Sequence, residues 1–133
     1  MHSPTDTTAP LCPTPRLGDV LDARCPSRMI LSHVTSRWGG LVMIALGEER
    51  LRFAALRRRI GGVSERMLAQ TLQQLEADGL VERRDHGTVP PHVDYRLTAP
   101  GREIATRYLE LAHWIETNLP DLIAARPAPA VAD

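Results

Sequence analysis

Between residues 63 and 79, VSERMLAQTLQQLEADG, apolar and polar positions follow a helical period: Leu68, Leu72 and Leu75 recur at i, i+4 and i+7. At about 100° per residue, Arg66, Gln70, Gln73 and Ala77 fall on the opposite side. Ser64 suits the N-cap, Glu65 the positive first turn and Gly79 the left-handed stop. Upstream, Cys25-Pro26 opens a helix, with Cys25 at the N-cap and Pro26 at the first position, running to about His33 with Met29, Ile30, Leu31 and Val34 apolar. A second helix is expected after Thr35 or Ser36, carrying Trp38, Leu41, Val42, Ile44, Ala45 and Leu46 and ending at Gly47. Gly39 and Gly40 fall inside it at about 1 kcal/mol each relative to Ala, a cost that makes sense where another backbone packs closely. Leu51 and Phe53 alternate with Arg50 and Arg52 as a very short strand. Ala54 to Ile60 reads as a short helix, with Leu56 and Ile60 inward and Arg57, Arg58 and Arg59 outward. Two helices joined through Gly61-Gly62 form a helix-turn-helix pattern.

After Gly79 the period shortens. Leu80, Val81 and Arg83 precede a loop, DHGTVPP, and Val93, Tyr95 and Leu97 then alternate as a half-buried strand. Two strands around a Gly/Pro loop, directly after a helix-turn-helix, predict a β-wing edged by Arg83, Arg84, His86 and His92. A last helix is expected from Pro100 to about Leu119, broken or kinked by Pro120, with a short continuation. Its apolar residues cover more than one face, a surplus pointing to a subunit interface. The expected organisation is a flexible arm over 1–22, a folded domain over 23–125 and a loose tail over 126–133. The fold class is mainly α with a small β-wing.

Composition narrows the chemistry. A chain of 133 residues is one domain with room for a core. No stretch approaches 18 uninterrupted apolar residues, and the N-terminal segment has no apolar signal core, so neither a membrane span nor secretion is expected and the cytoplasm is the expected location. All 16 basic residues are Arg and the net charge is zero. That balance argues against binding nucleic acid by bulk charge. The distribution is uneven: Arg50, Arg52, Arg57, Arg58, Arg59 and Arg66 stand against a single acid, Glu65, between positions 50 and 66. A basic middle can dock phosphates in an otherwise neutral protein.

Guanidinium and carboxamide groups form paired hydrogen bonds with guanine and adenine edges, so Arg66, Gln70 and Gln73 are the candidates for reading bases. Ser64, Arg57, Arg58 and Arg59, with Arg84 and His86 of the wing, are the candidates for phosphate. Cys25 at a helix N-cap, with Arg24 and Arg28 nearby and Asp22 opposing, is placed to favour thiolate and so to meet electrophiles or oxidants. The alternative is a small packed apolar cap. Cys12 in the arm is a candidate resolving thiol, and Cys25–Cys25 and Cys25–Cys12 bridges both stay open. No metal site is expected, since His2, His33, His86, His92 and His113 are scattered and no Cys-x-x-Cys occurs. No catalytic constellation or cofactor motif is present, and Glu48-Glu49 reads as solvent-exposed loop charge.

The motifs CPSR (25–28), RWGGLVMIAL (37–46), RFAALRRRIGGVSERMLAQTLQQLEADGLV (52–81), VPPHVDYRLTAPG (89–101) and WIETNLP (114–120) together resemble the HxlR-type (DUF24) branch of bacterial winged helix-turn-helix regulators, relatives of the MarR group. The resemblance covers residues 25–120. It implies a homodimer built from the N- and C-terminal helices, its two recognition helices reading a pseudo-palindromic double-stranded operator, most often as a repressor. It also implies a sensing cysteine at Cys25, responsive to a quinone, an aldehyde or an oxidant. The wing loop, DHGT, is less basic than the family usually carries. Two rival readings remain: a regulator binding a small aromatic ligand at the dimer interface without thiol chemistry, and a winged-helix protein-interaction module.

Overall fold

The computed structural model describes residues 18–127. Backbone turns over 19–25 lead into α1 (Pro26–Val34), with Cys25 extended at its N-cap and Pro26 in its first turn, as expected. The second helix, α2 (Gly39–Leu46), starts later than the apolar pattern implies. Ser36 explains why: its hydroxyl donates to the His33 carbonyl at 2.8 Å and accepts from the Gly39 amide at 3.1 Å, holding residues 35–38 in a turn. Gly39 and Gly40 are therefore the opening residues of α2, not its interior. A Cβ at Gly39 would strike the His33 carbonyl oxygen, the close backbone approach foreseen; at Gly40 it would come within 2.8 Å of the Tyr108 ring.

Strand β1 (Leu51–Arg52) is only two residues long, because it pairs only through Leu51↔Tyr95 and Arg52↔Asp94. Phe53, expected in the strand, opens α3 (Phe53–Arg59) instead. The turn through Gly61-Gly62 leads to α4 (Glu65–Ala77), whose cap is as read: Ser64 accepts from the Met67 amide at 3.1 Å. Leu68, Leu72 and Leu75 are buried on its inner side. Its end is a Schellman motif, with Leu80 N–H on the Leu75 carbonyl (2.9 Å), Gly79 N–H on that of Glu76 (3.0 Å) and Gly79 at φ +78°.

Strands β2 (Val81–Asp85) and β3 (Val93–Leu97) form the hairpin of the wing, and β1 adds to the other edge of β3 to give an antiparallel sheet of order β1-β3-β2. The long helix α5 (Ala99–Thr117) begins at Thr98, whose Oγ1 accepts from Gly101 N–H at 3.1 Å and donates to the Gly79 carbonyl at 2.7 Å. This ties the start of α5 to the end of α4. The helix stops at Thr117, and Pro120 lies in the first turn of a separate short helix, α6 (Leu119–Ala124). Val42, Met43 and Leu46 of α2, Leu56 of α3, the α4 leucines, Leu80, Val81, Leu97 and Ala105 make one continuous core. Among the described residues no single helix is long and apolar enough to cross a membrane. The expected arm lies mostly, and the tail partly, outside the described residues.

Candidate nucleic-acid interface

The core holds α4 by its leucine side and leaves the other side to solvent. Arg66, Gln70, Gln73 and Ala77 are all exposed, as the period requires. Among the described residues, Arg66, Gln70 and Gln73 make no side-chain hydrogen bond or ion pair within the chain. Their donors and acceptors are thus available to a partner that offers matched polar edges. Beside this face lies an open groove of about 620 Å³ lined by Arg37, Trp38, Ser64, Met67 and Gln70 among others. The Arg37 guanidinium stacks 4.8 Å from the centroid of the Trp38 ring.

The arginines of α3 do not share one fate. Arg58 is exposed and, among the described residues, unpaired. Arg57 instead braces the turn: its Nε donates to the Val63 carbonyl at 3.2 Å and its guanidinium lies 3.6 Å from Glu65. Arg59 is engaged further, donating to Glu49 Oε2 at 2.6 Å, Glu49 Oε1 at 3.4 Å and the Ala45 carbonyl at 3.0 Å. The hydrogen bond and the opposite charge depress the Glu49 carboxyl below its usual value and raise Arg59. Glu49 is therefore not idle loop charge. It clamps the end of α3 to the end of α2, and Arg59 is already occupied.

In the wing, Arg83 and Arg84 are exposed, and Arg84 stands opposite Asp94 in the β2–β3 register. Tyr95 and Leu97 pack on the core, so Asp94 lies on the other, outer face of the sheet, yet it is only 5% exposed. His86 Nε2 sits 2.8 Å and His92 Nε2 3.5 Å from its Oδ2, and Arg50 Nε lies 3.9 Å from its Oδ1. Burial alone raises a carboxyl; the His86 hydrogen bond and the charges of His86, Arg50 and His92 overcome it and hold Asp94 below its ordinary value. Two of the histidines that look scattered in sequence thus converge in space. His86 turns onto Asp94 rather than standing free at the wing edge. The sequence carries one sign of this: a lone acid between strand apolar residues, with a histidine at each end of the hairpin loop.

A second pair was equally hidden. His33 Nδ1 and Asp78 Oδ2 are 2.7 Å apart, linking the last turn of α1 to the C-cap of α4. At the other end of α1, Cys25 is buried and disulfide-bonded. Its sulfur receives the Asp19 N–H at 3.3 Å and contacts the Ser27 hydroxyl at 3.0 Å. The two arginines expected to support it point elsewhere: Arg24 pairs with Asp22 at 3.3 Å, and Arg28 reaches the Leu21 carbonyl at 3.4 Å. Cys12 lies outside the described residues.

Residues 33–122 match the family model described as HxlR-like helix-turn-helix. The chain belongs to the HxlR family. It is 53% identical over 109 residues to the HTH-type transcriptional regulator YtfH of Escherichia coli (strain K12), itself uncharacterised, covering 82% of this chain and 86% of that one. The solved structure of the transcriptional regulator ytfH from Salmonella typhimurium matches with a TM-score of 0.75 at 51% identity, covering 80% of this chain and 96% of that one. The redox regulator HypR in its reduced form matches at 0.68 and 33% identity, over 74% and 98%. The protein is a winged helix-turn-helix transcriptional regulator of a DNA-binding, non-enzymatic class. In HxlR terms α3, the Gly61-Gly62 turn and α4 are the helix-turn-helix, and β2–β3 is the wing.

Proposed function

We propose that this HxlR protein acts in the cytoplasm as a homodimeric repressor, reading a pseudo-palindromic operator with two copies of α4 and releasing it when Cys25 changes redox state. The observation that carries the reading is the outer face of α4, where Arg66, Gln70 and Gln73 are exposed and without partners in the described chain. Paired hydrogen bonds to base edges are what such groups supply in a major groove. Arg58, Arg84 and the exposed N-terminus of α4 at Ser64 serve the phosphates; Arg57 and Arg59 hold the scaffold that aims them.

The apolar side chains left exposed support the dimer. Met29 and Leu31 of α1, Leu109, Leu111, Trp114 and Ile115 of α5, and Leu122 and Ile123 of α6 are all exposed in the single chain, Trp114 at 57%. A concentration of this kind marks an interface. Pairing through these helices sets the separation of the two α4 helices, which has to be about 34 Å for successive major grooves.

Cys25 lies at the start of α1, and α1 reaches α4 through the His33–Asp78 pair and the packing of Val34. A change at the sulfur therefore has a mechanical route to the recognition helix. Reducing the disulfide adds two electrons and two protons and frees the first turn of α1. A thiolate formed there faces the Asp19 amide and the Ser27 hydroxyl, both of which favour it. The redox behaviour of the related HypR supports this reading. The deciding experiment is a mobility shift on the gene's own upstream region at two salt concentrations, with dithiothreitol or with diamide. Binding that weakens steeply with salt and differs between the two redox conditions is expected. Salt-independent binding, or no binding, removes the operator reading; identical affinity in both conditions, or a response that survives Cys25→Ser, removes the switch.

A further inference from the structure

His86 and His92 bracket the wing loop, and the amide of His86 donates to the carbonyl of His92 at 2.9 Å, which fixes the two residues side by side. Their rings stand 4.2 Å apart between centroids at 37°. Both present Nε2 to the same oxygen of Asp94, at 2.8 and 3.5 Å, and the three ligand-type atoms all lie within 4.8 Å of one another. An ion at about 2.0–2.1 Å from each of three ligands in tetrahedral geometry separates those ligands by about 3.3 Å. The observed spacings straddle that value.

A purely structural role is the competing account, and it explains less. One histidine hydrogen-bonded to Asp94 would be enough to anchor the loop. The second imidazole nitrogen, at 3.5 Å, is too far for a good hydrogen bond but well placed as a ligand. Asp94 is only 5% exposed, and among the described residues its Oδ1 has no hydrogen-bond partner. The nearest cation to that oxygen is Arg50, at 3.9 Å. An ion held at Oδ2, the oxygen both imidazoles face, adds positive charge to a buried carboxylate that is short of donors.

We propose that His86, His92 and Asp94 form a binding site for a divalent transition-metal ion of the zinc class at the base of the wing. Two imidazoles and a carboxylate suit zinc, cobalt, nickel or ferrous iron rather than calcium or magnesium. The ion takes the place of the proton between His86 and Asp94 and pins the loop over 87–91 to β3. Its remaining position is open to water or to a phosphate oxygen. Arg50 opposes a second positive charge on Asp94, so the site favours the ions that bind imidazole most strongly.

The test is zinc competition against a chromogenic chelator with the purified full chain, together with the visible spectrum of the cobalt-loaded protein. One equivalent of zinc per chain is expected, with a d–d spectrum of low-coordinate cobalt lacking a sulfur charge-transfer band. His86→Ala and His92→Gln should each weaken zinc by about tenfold or more while circular dichroism stays native. Absence of bound zinc, a thiolate band, or undiminished binding in both variants overturns the site. Should a variant fail to fold, the cobalt spectrum of the unaltered chain decides alone: the nitrogen/oxygen spectrum supports the site and any other refutes it.

Discussion

The outer face of α4 and the base of the wing are built from similar polar side chains, and they end in opposite states. On α4, Arg66, Gln70 and Gln73 project from a rigid helix and, among the described residues, find no partner in the chain. At the wing, His86, His92, Arg50 and Asp94 arrive from three places in the sequence and turn onto one another. A helix face is fixed by local geometry: each side chain points where the 3.6-residue period sends it. The side chains of a hairpin and its edge strand are sent together by register. The first arrangement leaves groups open for a ligand outside the protein, and the second makes a small polar cluster of its own.

The strongest way to break the contrast is to remove what holds α4 rigid. Leu68 is fully buried on its inner side. Leu68→Ala should cost about 2–5 kcal/mol of stability, measured by urea unfolding, because the cavity cannot fully collapse. A smaller loss would mean that α4 is not clamped by its leucines, and the outer face would then have no fixed orientation to offer.

Substitution on the outer face should do the reverse. Arg66→Ala is expected to leave the unfolding midpoint nearly unchanged and to weaken operator binding by about 1–3 kcal/mol in a fluorescence-anisotropy titration. Unchanged affinity would put the readout elsewhere. Together the two substitutions separate the inner and outer sides of one helix by what each changes.

This contrast also marks how far the sequence could be read. The leucine spacing, Ser64, Gly79 and the apolar surplus of the last helix are local signals, and α4, its caps and the exposed apolar residues of α5 follow from them. The apolar pattern starts α2 too early, because a Ser36 hydroxyl, not an apolar period, decides where that helix begins. Phe53 continues the alternation of β1 but has no strand partner beyond Arg52, so it joins α3. The pairs that cross the fold were invisible for a different reason. His33 and Asp78 are 45 positions apart, and nothing in either segment points to the other. Asp94 sits where alternation sends it, on the outer face, but its burial depends on residues from the loop and from Arg50. Arg57, Arg58 and Arg59 are all exposed on α3, and only the positions of Val63, Glu65, Glu49 and Ala45 tell their partners apart.

Those arginines supply the finest comparison. If intramolecular partners decide which groups serve DNA, Arg58 and Arg59 should differ although they are neighbours. Each phosphate contact made by a basic side chain releases counterions and steepens the dependence of log affinity on log salt by about one unit. Arg58→Ala should therefore flatten that slope by about one, evenly across operator sequences. Arg59→Ala should leave the slope in place, since its guanidinium is already held by Glu49 and the Ala45 carbonyl. Anisotropy titrations over a salt series read both. Equal flattening by the two substitutions would mean that the Glu49–Arg59 clamp opens on DNA, exchanging a carboxylate for a phosphate. Groups paired within the chain would then belong to the interface as well.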